Sequence, residues 1–172
     1  LWDGRPIPQG LRARLEREYE RMQFIQGEMR ELEAERVEAI RQSTDPEMEK
    51  VRGLLRLKGI GVNGAWVNTM EFFGWREFRN GKEVGGLAGL APTPYQSGES
   101  LRERGMSKAG NRHVRALAIE LAWGWLRHQP ESELSQWYQR RFGGGSSRVR
   151  RIGIVALARK LLVALGRYLQ MG

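Results

Sequence analysis

From Leu11 to Gln42 the sequence holds no proline and a single glycine, Gly27, after a turn-rich opening marked by Gly4, Pro6, Pro8 and Gly10. So long a stretch without breakers leaves one regular structure open to it, a continuous helix. Leu15, Met22, Met29 and Arg36 fall at one position of a heptad, and Leu11, Glu18, Ile25, Leu32 and Ala39 at the other. Two of those nine positions are charged, and the flanks at Glu16–Glu20 and Glu31–Arg36 are dense in Glu and Arg. That pattern favours an arm pairing two copies through residues 11–40 over the alternative, a helix packed on its own domain.

Ser43-Thr44-Asp45-Pro46 ends this helix and opens the next, with Asp45 as N-cap and Pro46 in the first turn. Apolar residues then recur at helical spacing. Val51, Leu54 and Leu55 precede a break at Gly59-Ile60-Gly61; Val62, Ala65, Trp66, Met70 and Phe73 follow it. A short helix is expected over 82–90, longer ones over 111–128 and 149–170, and another short one over 133–142. Ile152, Val155, Leu161, Leu162, Leu165 and Tyr168 mark the apolar side of the last. Trp123, Trp125, Trp137 and Tyr138 lie at helical spacings that suit a core. Residues 91–110 show no usable period and read as a loop, longer than packing alone requires. No segment sustains the alternation of a strand, so the expected class is all-α: a linker and long helix over 1–45, then a helical domain over 46–172.

The 172 residues contain no cysteine and two histidines, His113 and His128. Disulfide scaffolds, thiolate metal sites and cysteine nucleophiles are thereby excluded, and a histidine-built metal site is disfavoured. No apolar run reaches the roughly 18 residues of a membrane span, and the opening is not a secretory leader. Starting at Leu1 rather than Met, the chain reads as a piece of something longer. The net charge of +9 is unevenly held. Residues 1–50 carry nine Lys and Arg against twelve Asp and Glu; residues 51–172 carry twenty against eight, a net +12. A body so basic is expected to meet polyanions, most often nucleic acid.

Two segments bear on chemistry. In L-L-R-L-K-G-I-G-V-N-G-A, residues 54–65, two helices meet at a Gly-hydrophobe-Gly turn, the pattern of a helix-hairpin-helix over about 50–74. Gly59 and Gly61 permit a tight turn that exposes amides to a phosphate, Ile60 plugs the hairpin into its core, and Arg56 and Lys58 add charge. A plain helical hairpin would have the same glycines.

The second segment runs from Gly89 to Arg115. It sets Arg102, Arg104, Lys108, Arg112 and Arg115 around Ser97, Ser100 and Ser107, with Asn111 as the N-cap of the helix that follows. A serine among arginines can attack a phosphodiester, the guanidinium groups stabilising charge that develops on the phosphoryl oxygens. Loop serines serve far more often in turns and caps, and no His–Asp pair is evident, so a hydrolase triad is not supported. His113 could meet a phosphate or be an ordinary surface residue. Arg148, Arg150 and Arg151 follow a Gly-rich tract and suit a nucleic-acid backbone.

G-L-A-P-x-x-Y-Q-S-G, then S-K-A-G-N-R-x-V-R, with G-I-G ahead of both, resembles the C-terminal domain of the bridge-RNA-guided insertion-sequence transposases, which are related to the Piv-type DNA invertases. The closing R-R-I-G-I-V-A-L-A-R-K-L-L and the opening G-R-P-I-P-x-G-L-R-A-R-L-E-R-E are similar to the same family, so the resemblance covers essentially the whole chain. It implies that Ser97, in Y-Q-S-G, is a nucleophile forming a 5′-phosphoserine link to DNA. It also implies that an N-terminal RuvC-like domain, absent here, supplies acidic ligands for Mg. Lys58 stands where the family often has proline before G-I-G, which loosens the turn while adding a phosphate contact.

The expectation is therefore the C-terminal region of a DNA transposase acting through Ser97, with no cofactor in this piece and inactive alone as a recombinase. Its partners would be DNA, a guide (bridge) RNA and further copies of itself, in the bacterial cytoplasm at the nucleoid and with no membrane. Phosphate contacts would come from Arg56, Lys58, Gly59, Ile60, Gly61, Arg102, Arg104, Ser107, Lys108, Asn111, Arg112, Arg115, Arg148, Arg150 and Arg151. The competing expectation is a non-catalytic helix-hairpin-helix module that grips DNA or RNA and dimerises through its arm.

Overall fold

The computed structural model describes Gly4 and residues 6–97 and 100–171, with the backbone alone described over 93–105. The chain divides into two compact units, Leu1–Gln42 and Ser43–Gly172. Within the first, one helix, α1, spans Gln9–Gln42 without interruption. Leu11, Leu15, Met22, Ile25, Met29 and Leu32, at the heptad spacing, are all exposed.

The second unit is a helical body. Its elements are α2 (Pro46–Leu55), α3 (Val62–Asn68) continued by a π turn (Thr69–Phe73), α4 (Gly81–Leu87), β1 (Pro92–Ser97), β2 (Ser100–Met106), α5 (Arg112–His128), α6 (Glu133–Tyr138) continued by a second π turn (Gln139–Gly143), and α7 (Ser147–Met171). The all-α reading holds for the architecture. No helix among the described residues is long and apolar enough to cross a membrane.

Helix α7 organises the body. Ile154, Leu157, Ala158, Leu161, Leu162 and Leu165 are buried at the three- and four-residue steps of one helical face, each large aliphatic side chain contributing about 1.5–3 kcal/mol of transfer free energy. α7 packs on α5, α4, α6 and α2. Close approach depends on small residues: a Cβ at Gly153 would fall 2.4 Å from the Phe142 ring. Phe72, Phe73 and Phe78 form an aromatic cluster with centroids 4.8–5.9 Å apart, and Phe73 abuts Gly166 of α7.

Two expectations are corrected. The segment 91–110, read as a loop, forms an antiparallel hairpin in which Thr93 pairs with Arg104, Tyr95 with Arg102 and Ser97 with Ser100. Its sequence is largely polar and carries Pro92 and Pro94, so no alternation of apolar residues marks it as strand. Trp123, grouped with the core aromatics, is half exposed, whereas Trp125 and Tyr138 are buried. Position 123 lies off the face of α5 formed by Val114, Ala118, Leu121 and Trp125. Ile152 and Tyr168 likewise sit on the open side of α7.

Candidate nucleic-acid interface

The turn between α2 and α3 closes through short backbone bonds, Leu57 N–H to Leu54 O and Ile60 N–H to Leu57 O, both 3.1 Å. Gly59 has φ +99, a left-handed region that glycine alone occupies without strain. Ile60 is buried, and Arg56, Lys58 and Gly61 are exposed. Gly61 is the N-cap of α3, without a side-chain cap hydrogen bond, and its carbonyl accepts from Ala65 N–H at 2.9 Å. The turn rests on the C-terminal end of α5: a Cβ at Gly59 would meet His128 Cβ at 3.2 Å, and Gln129 Nε2 donates to Lys58 O at 2.7 Å.

At the other end of α5 lies the S-K-A-G-N-R segment. Ser107 N–H donates to Ala91 O at 2.9 Å, Lys108 N–H to Gly89 O at 3.2 Å and Asn111 N–H to Leu87 O at 2.9 Å. The chain leaving the hairpin is thereby stitched to the end of α4. Lys108 is held at φ +55 and Gly110 at φ +130. Arg115 Nη1 donates to Lys108 O at 3.0 Å, so this guanidinium braces the loop. Asn111 is the N-cap of α5, its Oδ1 accepting from His113 N–H at 2.9 Å and Val114 N–H at 3.1 Å. Lys108, Arg112 and His113 remain exposed around it.

Seventeen residues of α5 stand between these two ends, about 24 Å at 1.5 Å per residue. Lys58 with Gly59–Gly61 and Lys108 with Arg112 are thus separate basic ends of one rod. The third basic cluster opens α7. Arg148 and Arg151 line a groove of about 1450 Å³ that also holds Pro92 and Met106 from the hairpin base and Lys82, Arg159, Lys160 and Arg167. Arg150 is exposed at the same helix start and lies outside that lining, its carbonyl accepting from Tyr138 Oη at 3.3 Å. The side chains of Ser97, Arg102 and Arg104 lie outside the described residues; the backbone puts Ser97 at the last pair before the hairpin tip. Asp3 also lies outside them.

One contributor carries no sequence signal at all. Glu71, in the π turn after α3, receives Asn111 Nδ2 on Oε2 at 3.1 Å, and its Oε1 lies 3.6 Å from His113 Nδ1. Beside it Asn68 and Thr69 are fully buried, and Asn68 Oδ1 and Thr69 Oγ1 have no hydrogen-bond partner. Among the described residues no group of three His, Asp or Glu stands close enough to hold a metal ion.

Residues 51–139 match the family model of the IS116/IS110/IS902 transposases. The chain belongs to this transposase family. It is 42% identical over 178 residues to a Sinorhizobium fredii protein named "Putative transposase y4rJ", an alignment covering 99% of this chain and 45% of that protein. A second S. fredii protein, "Putative transposase y4qE", is 32% identical over 109 residues, 63% of this chain and 27% of that one. The chain of this transposase family member therefore spans less than half the length of the relatives it matches. The family match takes in α2, the turn at Gly59, the π turn with Glu71, the hairpin and α5.

Proposed function

We propose that this member of the IS116/IS110/IS902 family is the DNA-handling region of a transposase that cuts and rejoins strands through a serine–phosphate ester on Ser97. The Oγ of Ser97 attacks a backbone phosphorus, forming a 5′-phosphoserine bond and releasing a 3′-hydroxyl. A 3′-hydroxyl of the recipient strand then attacks that phosphorus and frees the serine. One phosphodiester is lost and one is formed, so no nucleotide cofactor is consumed. Family membership supports DNA as the substrate, and the observation that carries the reading is the position of Ser97 in the Y-Q-S-G segment, at the end of a hairpin anchored by its base to α4.

In this reading the exposed Arg56 and Lys58 beside the Gly59–Gly61 turn grip one phosphate run, and Lys108 and Arg112 a second, at the opposite end of α5. Arg148, Arg150 and Arg151 meet a further backbone, of DNA or of a guide RNA. The exposed apolar stripe of α1 pairs protomers, since strands exchanged in concert need at least two nucleophiles. A RuvC-like domain and its Mg belong, by resemblance, outside these residues.

The test is strand exchange by the full-length transposase carrying Ser97→Ala. The variant is expected to bind donor DNA as the parent does while giving neither adduct nor exchanged product. Exchange at the parental rate would overturn the serine assignment. Binding without any adduct in the parent would leave the helix-hairpin-helix module as the better description.

A further inference from the structure

Between α3 and α4 the helix widens into a π turn, a local rearrangement that costs hydrogen-bond geometry and recurs at functional positions. Its effect here is specific: it places Glu71 against the start of α5, 40 residues away from Asn111 in sequence. One carboxylate oxygen accepts from Asn111 Nδ2 at 3.1 Å and the other faces His113 Nδ1 at 3.6 Å. The His113 and Val114 amides of α5 are already taken by Asn111 Oδ1. Beyond its backbone, this end of the helix offers a ligand two side chains, Arg112 and the His113 imidazole, the latter 76% exposed.

We propose that His113 is a phosphate-contacting residue of the nucleic-acid surface and that Glu71 is its positioning residue. The inference rests on the reading of the basic body as a DNA surface. An imidazolium donates from both nitrogens. With Nδ1 turned to the Glu71 carboxylate, Nε2 is directed away from it and toward solvent, where a backbone phosphate can accept its proton. At 3.6 Å the Glu71 carboxylate acts on the ring as a nearby charge, favouring this orientation. The charged groups around the ring are Glu71 from the π turn, Arg112 and Arg115 from α5 itself, and Lys108 from the loop before it. Arg115 is turned back onto the Lys108 carbonyl, which leaves Arg112 and His113 as the adjacent pair facing outward. The carboxylate also holds Asn111, so the same side chain sets the cap and the imidazole together.

The experiment is nitrogen NMR of the chain with labelled histidine, free and bound to a DNA duplex, together with duplex affinity for H113A and E71Q. Glutamine at 71 retains an oxygen for Asn111 Nδ2 but removes the charge facing His113, so a purely structural role predicts no change. The expected result is a change in the His113 ring nitrogen signals on adding duplex, its loss in E71Q, and duplex binding weakened roughly three- to fivefold in each variant. The double variant should be no weaker than H113A alone. His128, at the opposite end of α5, is the internal reference. His113 ring signals unmoved by duplex, or E71Q binding with parental affinity and signals, would overturn the assignment. Failure of the parent itself to bind duplex would overturn the DNA-surface reading beneath it.

Discussion

Gly110 stands directly on the carbonyl of Leu87: a Cβ at this position would lie 2.1 Å from that oxygen, and the backbone is held at φ +130. Only glycine meets both conditions. The contact lets Asn111 N–H reach Leu87 O and so docks the start of α5 on the end of α4. Gly110→Ala should destabilise the body by about 2 kcal/mol or more, read by urea unfolding. Gly86→Ala is the control, since nothing lies within 4 Å of its Cβ position; it should be neutral or slightly stabilising. Equal effects at the two positions would refute the docking role.

Asn111 is a cap and a donor at once, and the two roles separate by substitution. Asn111→Ala should cost about 1 kcal/mol through loss of the cap. Asn111→Asp keeps an oxygen for His113 N–H and Val114 N–H, yet sets a second carboxylate against Glu71, so it should fail to restore the parental melting temperature. Full rescue by aspartate would show that the Glu71 contact carries no weight.

Lys58 is exposed beside the Gly59 turn, and its backbone carbonyl alone is engaged within the fold. Lys58→Ala should leave unfolding unchanged, weaken duplex binding uniformly across sequences, and lower the slope of log affinity against log salt by about one. A variant with an unaltered salt slope would remove the turn from the DNA surface.

Along α1, Ile25 lies on the apolar heptad stripe and Phe24 beside it, and both are exposed. Pairing through the stripe predicts that Ile25→Lys converts an oligomer to a monomer in sedimentation, whereas Phe24→Lys does not. Indifference to both changes would leave α1 without a pairing role.

The helices of the body were legible because their apolar residues recur at helical spacing over a buried face. Asn111 could be read as a cap from its place ahead of that pattern. The hairpin was not legible: its polar residues and two prolines follow no alternation, and the Ser107 N–H to Ala91 O bond at its base joins positions 16 apart in the chain. Nor could Glu71 be found. Its partners lie 40 and 42 positions away, and the packing of α3 and its π turn beside α5 brings the carboxylate to them. The three-dimensional separation of Lys58 from Arg112 was hidden for the same reason, because spacing along the chain does not reveal which two ends of one helix they occupy.

Covalent chemistry at Ser97 can be read most directly from the peptide that remains attached to DNA when the full-length transposase is trapped on its donor and digested. Thr93, Tyr95, Ser97, Ser100 and Ser107 are the hydroxyl-bearing residues of segment 91–110, and fragmentation distinguishes them. The expected product is a single phosphodiester between a DNA 5′ end and Ser97. Attachment at Tyr95, Ser100 or Ser107 would refute the mechanism proposed for this chain.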